Sequence, residues 1–125
     1  MKPGLFRSGY FRLHSGGQSE FKIDCDQLSD DDLRALALIG RLLVRPFGDV
    51  LAIPSGGTRF ARQMLNYATE GPTLLVDDVL TTGQSMRDAW TDSGRPYFPS
   101  GLVIFARGPC PFWVTPIFSM TRGAA

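Results

Sequence analysis

The stretch Leu74-Leu75-Val76-Asp77-Asp78-Val79-Leu80-Thr81-Thr82-Gly83-Gln84-Ser85-Met86 decides how this chain is read. Residues 74–76 are short and wholly apolar, as a strand buried on both faces should be. Two adjacent carboxylates follow at the expected strand end. Carboxylates buried without partners are costly. They can cap backbone groups, hold a cation or accept hydrogen bonds from sugar hydroxyls. Thr81, Thr82 and Gly83 come next, and Gln84-Ser85-Met86 opens a helix. Small hydroxyl residues and a glycine before a helix expose backbone N–H groups in a concave nest. The helix start adds a field that favours an anion, so a phosphate fits there. The physics alone gives an anion site beside a carboxylate pair. A strand-to-helix turn that merely caps itself with Asp and Thr side chains is the plainer alternative.

Working outward, strand-like runs at residues 49–53, 73–76 and 101–105 alternate with helical patterns at 58–67 and 84–93. This βαβαβ order predicts an α/β fold with a parallel sheet covered by helices. A last run at 112–118 reads as a further strand, with Pro116 favouring an edge position or an early end. Ligands of such folds bind beyond the carboxyl ends of the strands. Upstream, Ser29 is a good N-cap and Asp32 stands where a capping box needs its acid. Leu33, Leu36, Ala37, Gly40 and Leu43 are expected on the inward face of that helix. Asp30-Asp31-Asp32 is explained by helix-start chemistry rather than by a metal, and Arg41 and Arg45 suit the other end of the dipole. Phe11 and Leu13, then Phe21 and Ile23, alternate around Ser15-Gly16-Gly17, which predicts two short strands and a turn.

The chain has 125 residues, of which 43% are hydrophobic and 20% charged, the balance of one globular domain. Thirteen basic against twelve acidic residues give a net charge of +1. Bulk charge therefore offers no reason to expect a nucleic-acid or membrane-surface partner. No apolar run approaches the ~18 residues that span a bilayer. Residues 1–13 lack the apolar region of a signal peptide, so a cytoplasmic location is expected. Cys25 and Cys110 form no C-x-x-C pair, and His14 is the only histidine. Two reduced, largely buried thiols are expected rather than a zinc site.

Residues 73–86 resemble the PRPP-binding motif of type I phosphoribosyltransferases (PRPP is phosphoribosyl diphosphate). The likeness covers the apolar run, the acidic pair, the apolar pair, Thr-Thr-Gly and the later hydroxyl. It implies the Rossmann-like fold of that family, with a shortened sheet and a small N-terminal hood over residues 1–28 of a single domain. Residues 29–125 would form the PRPP-binding core. It implies that Asp77 and Asp78 are the catalytic carboxylates that bind the ribose hydroxyls. Thr81, Thr82, Gly83, Gln84 and Ser85 would cradle the 5-phosphate.

Ile53-Pro54-Ser55-Gly56-Gly57-Thr58 is by itself a tight turn. Beside the motif it resembles the family's pyrophosphate loop. Ser55, Gly56 and Gly57 would then hold the diphosphate and its Mg²⁺ shell, the metal taking substrate oxygens and water rather than a protein cage. Residues 11–24 resemble the start of orotate phosphoribosyltransferases, with His14 where that family typically has Lys. Lys22 and Ile23 map onto positions lining the base pocket. Arg107 matches an arginine that pairs with the base's carboxylate, a contact Arg suits, but Ala106 replaces the preceding Asp. Orotate, or another pyrimidine-like base, is the implied acceptor, and a homodimer the implied assembly.

One part of the pattern is absent. Orotate enzymes place a strand and a long mobile loop with Lys and His residues between the helix ending near Tyr67 and the strand at Thr73. This chain has only a few residues there, and its two lysines, Lys2 and Lys22, lie elsewhere. Transfer from PRPP passes through an oxocarbenium-like cation as pyrophosphate leaves. The loop shields that cation and stabilises the departing charge. Without it, Mg²⁺, residues 55–57 and arginines such as Arg59 or Arg62 would have to serve. A catalytically silent PRPP or nucleotide sensor on the same fold is the alternative.

Overall fold

The computed structural model describes residues 6–12, 18–95 and 99–120. Strands β1 (Phe6–Arg12) and β2 (Gln18–Ile23) pair antiparallel, with Phe6 opposite Ile23 and Arg12 opposite Gln18. The expected hairpin is therefore present. Its turn, with His14 and residues 15–17, lies outside the described residues.

After a 3₁₀ turn at Cys25–Gln27, helix α1 spans Asp30–Leu43. Its start is a complete capping box. The Asp32 N–H donates to Ser29 Oγ at 3.0 Å, and the Ser29 N–H donates to Asp32 Oδ2 at 2.9 Å. Two orphan donors are thus satisfied reciprocally. Leu33, Ala37 and Gly40 are buried. Leu43, expected inward, is 48% exposed. Each step of three residues rotates a helical position by about −60°, so position 43 has drifted off the stripe.

Strands β3 (Asp49–Ala52), β4 (Thr73–Leu80), β5 (Ser100–Ala106) and β6 (Val114–Ser119) form one parallel sheet in that spatial order. Pro116 sits on edge strand β6, where a missing N–H is tolerated. Helix α2 (Thr58–Leu65) links β3 to β4, and α3 (Gln84–Ser93) links β4 to β5. Ala37 of α1 and Phe60 and Met64 of α2 share a core with Leu74, Val76, Leu102 and Ile104. Met86 of α3 joins Leu75, Val103 and Val114 in a second core. Alternating residues of β4 and β5 thus feed two layers of helix on opposite faces of the sheet. A Cβ on Gly40 would meet Leu102 Cδ2 at 2.8 Å, so glycine here lets α1 pack against β5 without displacing the Leu102 side chain.

β5 and β6 are parallel yet joined without a helix. Residues 107–113 make the return, held where Arg107 N–H donates to Leu80 O at 2.8 Å and Gly101 N–H donates to Trp113 O at 2.9 Å. Seven extended residues reach roughly 23–25 Å, enough to run back along a strand of this length. Among the described residues no helix is long and apolar enough to cross a membrane.

Candidate ligand site at the carboxyl ends of β3 and β4

The acidic pair lies within β4, not after it. Asp77 pairs with Val103 and the ladder continues through Val79 and Phe105 to Leu80 and Ala106. Each carboxylate accepts from the next backbone amide: Asp78 N–H to Asp77 Oδ1 at 2.8 Å, and Val79 N–H to Asp78 Oδ1 at 2.7 Å. This is the self-capping arrangement, and each carboxylate keeps further acceptor capacity. Asp77 is buried and Asp78 half-buried. Burial first, and the neighbouring Asp78 second, push the Asp77 carboxyl up to about 8.

The loop after β3 closes onto this pair. Ile53 N–H donates to Val76 O at 2.9 Å, so the strand contact extends one residue past β3. The Pro54–Ser55 peptide is cis. A Cβ on Gly57 would stand 2.5 Å from Val76 O and 2.9 Å from Asp77 Cα. A Cβ on Gly56 would stand 2.5 Å from Asp78 Oδ2. Both glycines are there for close approach rather than for a turn with positive φ. The Gly57 N–H is already bonded to Ile53 O at 2.9 Å. Pro54, Ser55 and Gly56 are the exposed part of this loop.

Thr81, Thr82 and Gly83 lead into α3. Gly83 has φ +84° and is the N-cap. Gln84 N–H donates to Thr82 Oγ1 at 3.2 Å, and the first intrahelical bond runs from Arg87 N–H to Gly83 O at 3.1 Å. The amides of Ser85 and Met86 therefore belong to the donor-rich first turn. Arg107 begins the segment after β5 and is tied by its amide to Leu80, one residue before Thr81.

The structure brings Ser55, Gly56, Gly57, Asp77, Asp78, the 81–85 loop and Arg107 to the carboxyl ends of adjacent strands. Lys22 and Ile23 are seen only as paired backbone of β2. The chain enters the site directly from β2: Cys25 and Asp26 line a narrow crevice with Gly56, Arg59 and Asp78. Burial pushes the Cys25 thiol up to about 12, which leaves it an unreactive packing residue. Cys110 is likewise free and partly buried.

Arg59, read from sequence as a candidate for the departing charge, is otherwise engaged. Its Nη2 donates to Leu28 O at 3.0 Å and pairs with Asp30 at 2.9 Å. It fastens the first turn of α2 to the start of α1. Arg87 was not anticipated. Its Nη1 donates to Thr82 O at 3.1 Å, which sets a guanidinium at the edge of the 81–85 loop. The signal for it was available: an arginine one turn into the helix that follows the loop.

No family model matches the sequence, and the comparison with curated proteins finds no match. Solved structures do match. Orotate phosphoribosyltransferase from Aeropyrum pernix superposes with a TM-score of 0.70 at 22% identity, over 93% of this chain and 89% of that one. The fold is that of the type I phosphoribosyltransferases. The Mycobacterium tuberculosis orotate phosphoribosyltransferase in complex with inorganic phosphate gives 0.67 at 14% identity, over 93% and 89%. Leishmania donovani UMP synthase gives 0.74 at 18%, over 93% of this chain but 34% of that one.

Within this phosphoribosyltransferase fold, the connection from α2 to β4 is short. Asn66 N–H and Tyr67 N–H donate to Gln63 O and Met64 O, a tightened last turn that ends α2 before the expected Tyr67. Thr69 N–H then donates to Phe47 O at 2.7 Å, and Gly48 N–H to Pro72 O at 3.1 Å. The connection is pinned beside the start of β3, at the opposite end of the sheet from Asp77 and Asp78.

Proposed function

We propose that this chain binds PRPP with Mg²⁺ and transfers phosphoribose to a pyrimidine-like base, orotate first among the candidates, releasing pyrophosphate. The observation that carries the reading is the convergence of two loops on the acidic pair of β4. The Ser55–Gly56 turn touches Asp78, and the 81–85 loop leaves the same strand three residues later. A ligand with ribose hydroxyls between two phosphate groups matches that order of carboxylates and open amides.

In this reading Asp77 and Asp78 accept hydrogen bonds from the ribose hydroxyls. Thr81, Thr82, Gly83, Gln84 and Ser85 hold the 5-phosphate with backbone donors and the field of α3, and Arg87 adds positive charge at the rim. Ser55 and Gly56 face the diphosphate, while Gly57 supplies the close packing that sets them there. Arg107 faces the base, with His14, Lys22 and Ile23 completing the base side from the hood.

Two adjacent carboxylates beside an open phosphate loop suit an ion held chiefly by phosphate oxygens and water. When bound, Mg²⁺ would neutralise charge on the departing pyrophosphate. Asp77 and Asp78 would orient the ribose through its hydroxyls, and Asp78 would keep the Gly56 turn in register.

A second reading rests on the pinned 66–72 connection. With no lid in that connection, the same site suits a PRPP sensor that does not turn over. Pyrophosphate release from PRPP and Mg²⁺ with a panel of bases separates the two. Release with orotate supports the transferase. PRPP binding with no release on any base supports the sensor.

A further inference from the structure

Within the 81–85 loop only Gly83 is buried, while Thr82, Gln84 and Ser85 are exposed and Thr81 is half-buried. The cover over Gly83 comes from outside the loop. A Cβ on Gly83 would stand 3.2 Å from Pro111 Cγ and 3.5 Å from Pro111 Cδ. The proline ring therefore lies against the bare Cα of the residue that caps α3. Arg87 Nη1 lies 3.4 Å from the same point. Gly108 makes a second approach: a Cβ there would stand 3.0 Å from Thr81 O. Gly108 does not have a positive φ, so its lack of a side chain serves this close approach and not a backbone shape. The amide of Arg107, bonded to Leu80 O, is a third contact. Leu80, Thr81 and Gly83 are thus backed in turn by residues 107, 108 and 111.

The backing segment is itself held firmly. Pro109 and Pro111 fix two of its φ angles. Cys110 and Trp113 pack against the core that contains Met86 of α3. Pro111 O accepts from Val114 N–H at 3.0 Å, and Trp113 O accepts from Gly101 N–H at 2.9 Å. The loop in front has fewer restraints of its own, with a glycine at φ +84° and two exposed positions after it. A loop that offers amides to an anion binds best when those amides are already aimed, because ordering them on binding costs affinity.

We propose that Pro111 and Gly108 are positioning residues for the phosphate loop. They form its back wall and fix the direction of the amides at residues 83–85 without touching the ligand. For its ligand, the 5-phosphate, this inference rests on the PRPP reading. The Ser55–Gly56 turn follows β3, two strands from β5, and is set against Asp78 instead. The wall therefore acts on one end of the ligand only. Damage to it should be felt by a sugar phosphate and not by free pyrophosphate.

Calorimetric titration of the whole chain with PRPP, ribose 5-phosphate and pyrophosphate, each with Mg²⁺, tests this. Pro111→Gly should weaken PRPP and ribose 5-phosphate roughly five- to tenfold, as a misplaced loop does, and leave pyrophosphate unchanged. Gly108→Ala, which presses on Thr81 from the other contact, should act in the same direction and serves alone if Pro111→Gly does not fold. Phe112→Ala alters the same segment at a side chain that is 92% exposed, and should change none of the three affinities. Hydrogen exchange of the ligand-free chain reads the wall without any ligand: residues 81–86 should exchange faster in Pro111→Gly and Gly108→Ala, with residues 73–77 unaltered. Unchanged exchange at 81–86 in the folded variants overturns the proposal, and so does an equal loss of all three ligands. Faster exchange at 81–86 in a chain whose wild type binds none of the three upholds the wall and overturns the PRPP reading instead.

Discussion

Gly56, in the loop after β3, packs closely against the side chain of Asp78 in β4: a Cβ added to Gly56 would reach Asp78 Oδ2 at 2.5 Å and Oδ1 at 2.7 Å. Residues twenty-two positions apart are thereby locked into one surface. Gly56→Ala should displace the Asp78 carboxylate and weaken PRPP binding tenfold or more, with little change in melting temperature, because Gly56 itself is exposed. Gly57→Ala meets backbone instead, at Val76 O and Asp77 Cα, and should cost about 1–3 kcal/mol of stability as an overpacked site. Calorimetric titration and thermal melting of both variants separate a loss in the site from a loss in the fold.

The Asp77 carboxyl should make stability fall with rising pH. Its folded value, pushed up to about 8, lies above the ordinary carboxylate value of 3.8. The folded chain therefore holds a proton that the unfolded chain releases between those two limits, and stability drops across that window. Below it the contribution is fully present. Asp77→Asn should flatten the dependence between about pH 4 and pH 8. Melting temperatures of wild type and variant across that range check the sign. A wild-type curve that rises through the window would contradict the burial argument. If Asp77 binds ribose hydroxyls as a carboxylate, PRPP affinity should rise over the same window.

Arg87 donates to the Thr82 carbonyl from the first turn of α3. Arg87→Ala should weaken PRPP binding several-fold and lessen its dependence on salt, since a charge facing a phosphate acts partly at long range. The fold should be little affected, because Arg87 is exposed. Titrations at low and high ionic strength read both quantities.

The capping box at Ser29 should be measurable by itself. Ser29→Ala removes the acceptor for the Asp32 amide and should destabilise the chain by about 1 kcal/mol. Denaturant unfolding of the single variant gives the value. The PRPP constants should change little, because the Ser29 side chain bonds within its own helix start and is not among the residues placed at the ligand.

Much of this architecture was legible because short buried strands and capped helices leave local signatures. α3 runs over the same residues as its pattern, and Ser29 with Asp32 marks the start of α1. Longer-range facts were not. The reading that strand β4 stops at Val76 treated carboxylates as a terminator, whereas neighbouring β5 keeps the ladder going through Leu80. Arg59 was a free cation in sequence and is a fastener in three dimensions. The nearness of Gly56 to Asp78 follows from parallel pairing of β3 with β4, which no spacing along the chain reveals.

The central claim is that the acidic pair and the two loops beside it form a PRPP site. Calorimetric titration of PRPP with Mg²⁺ into the wild-type chain and into Asp77→Asn with Asp78→Asn tests it most directly. Saturable binding to wild type, lost in the folded double variant, is the expected result. Equal affinity in both, or no binding to wild type at millimolar PRPP, would contradict it.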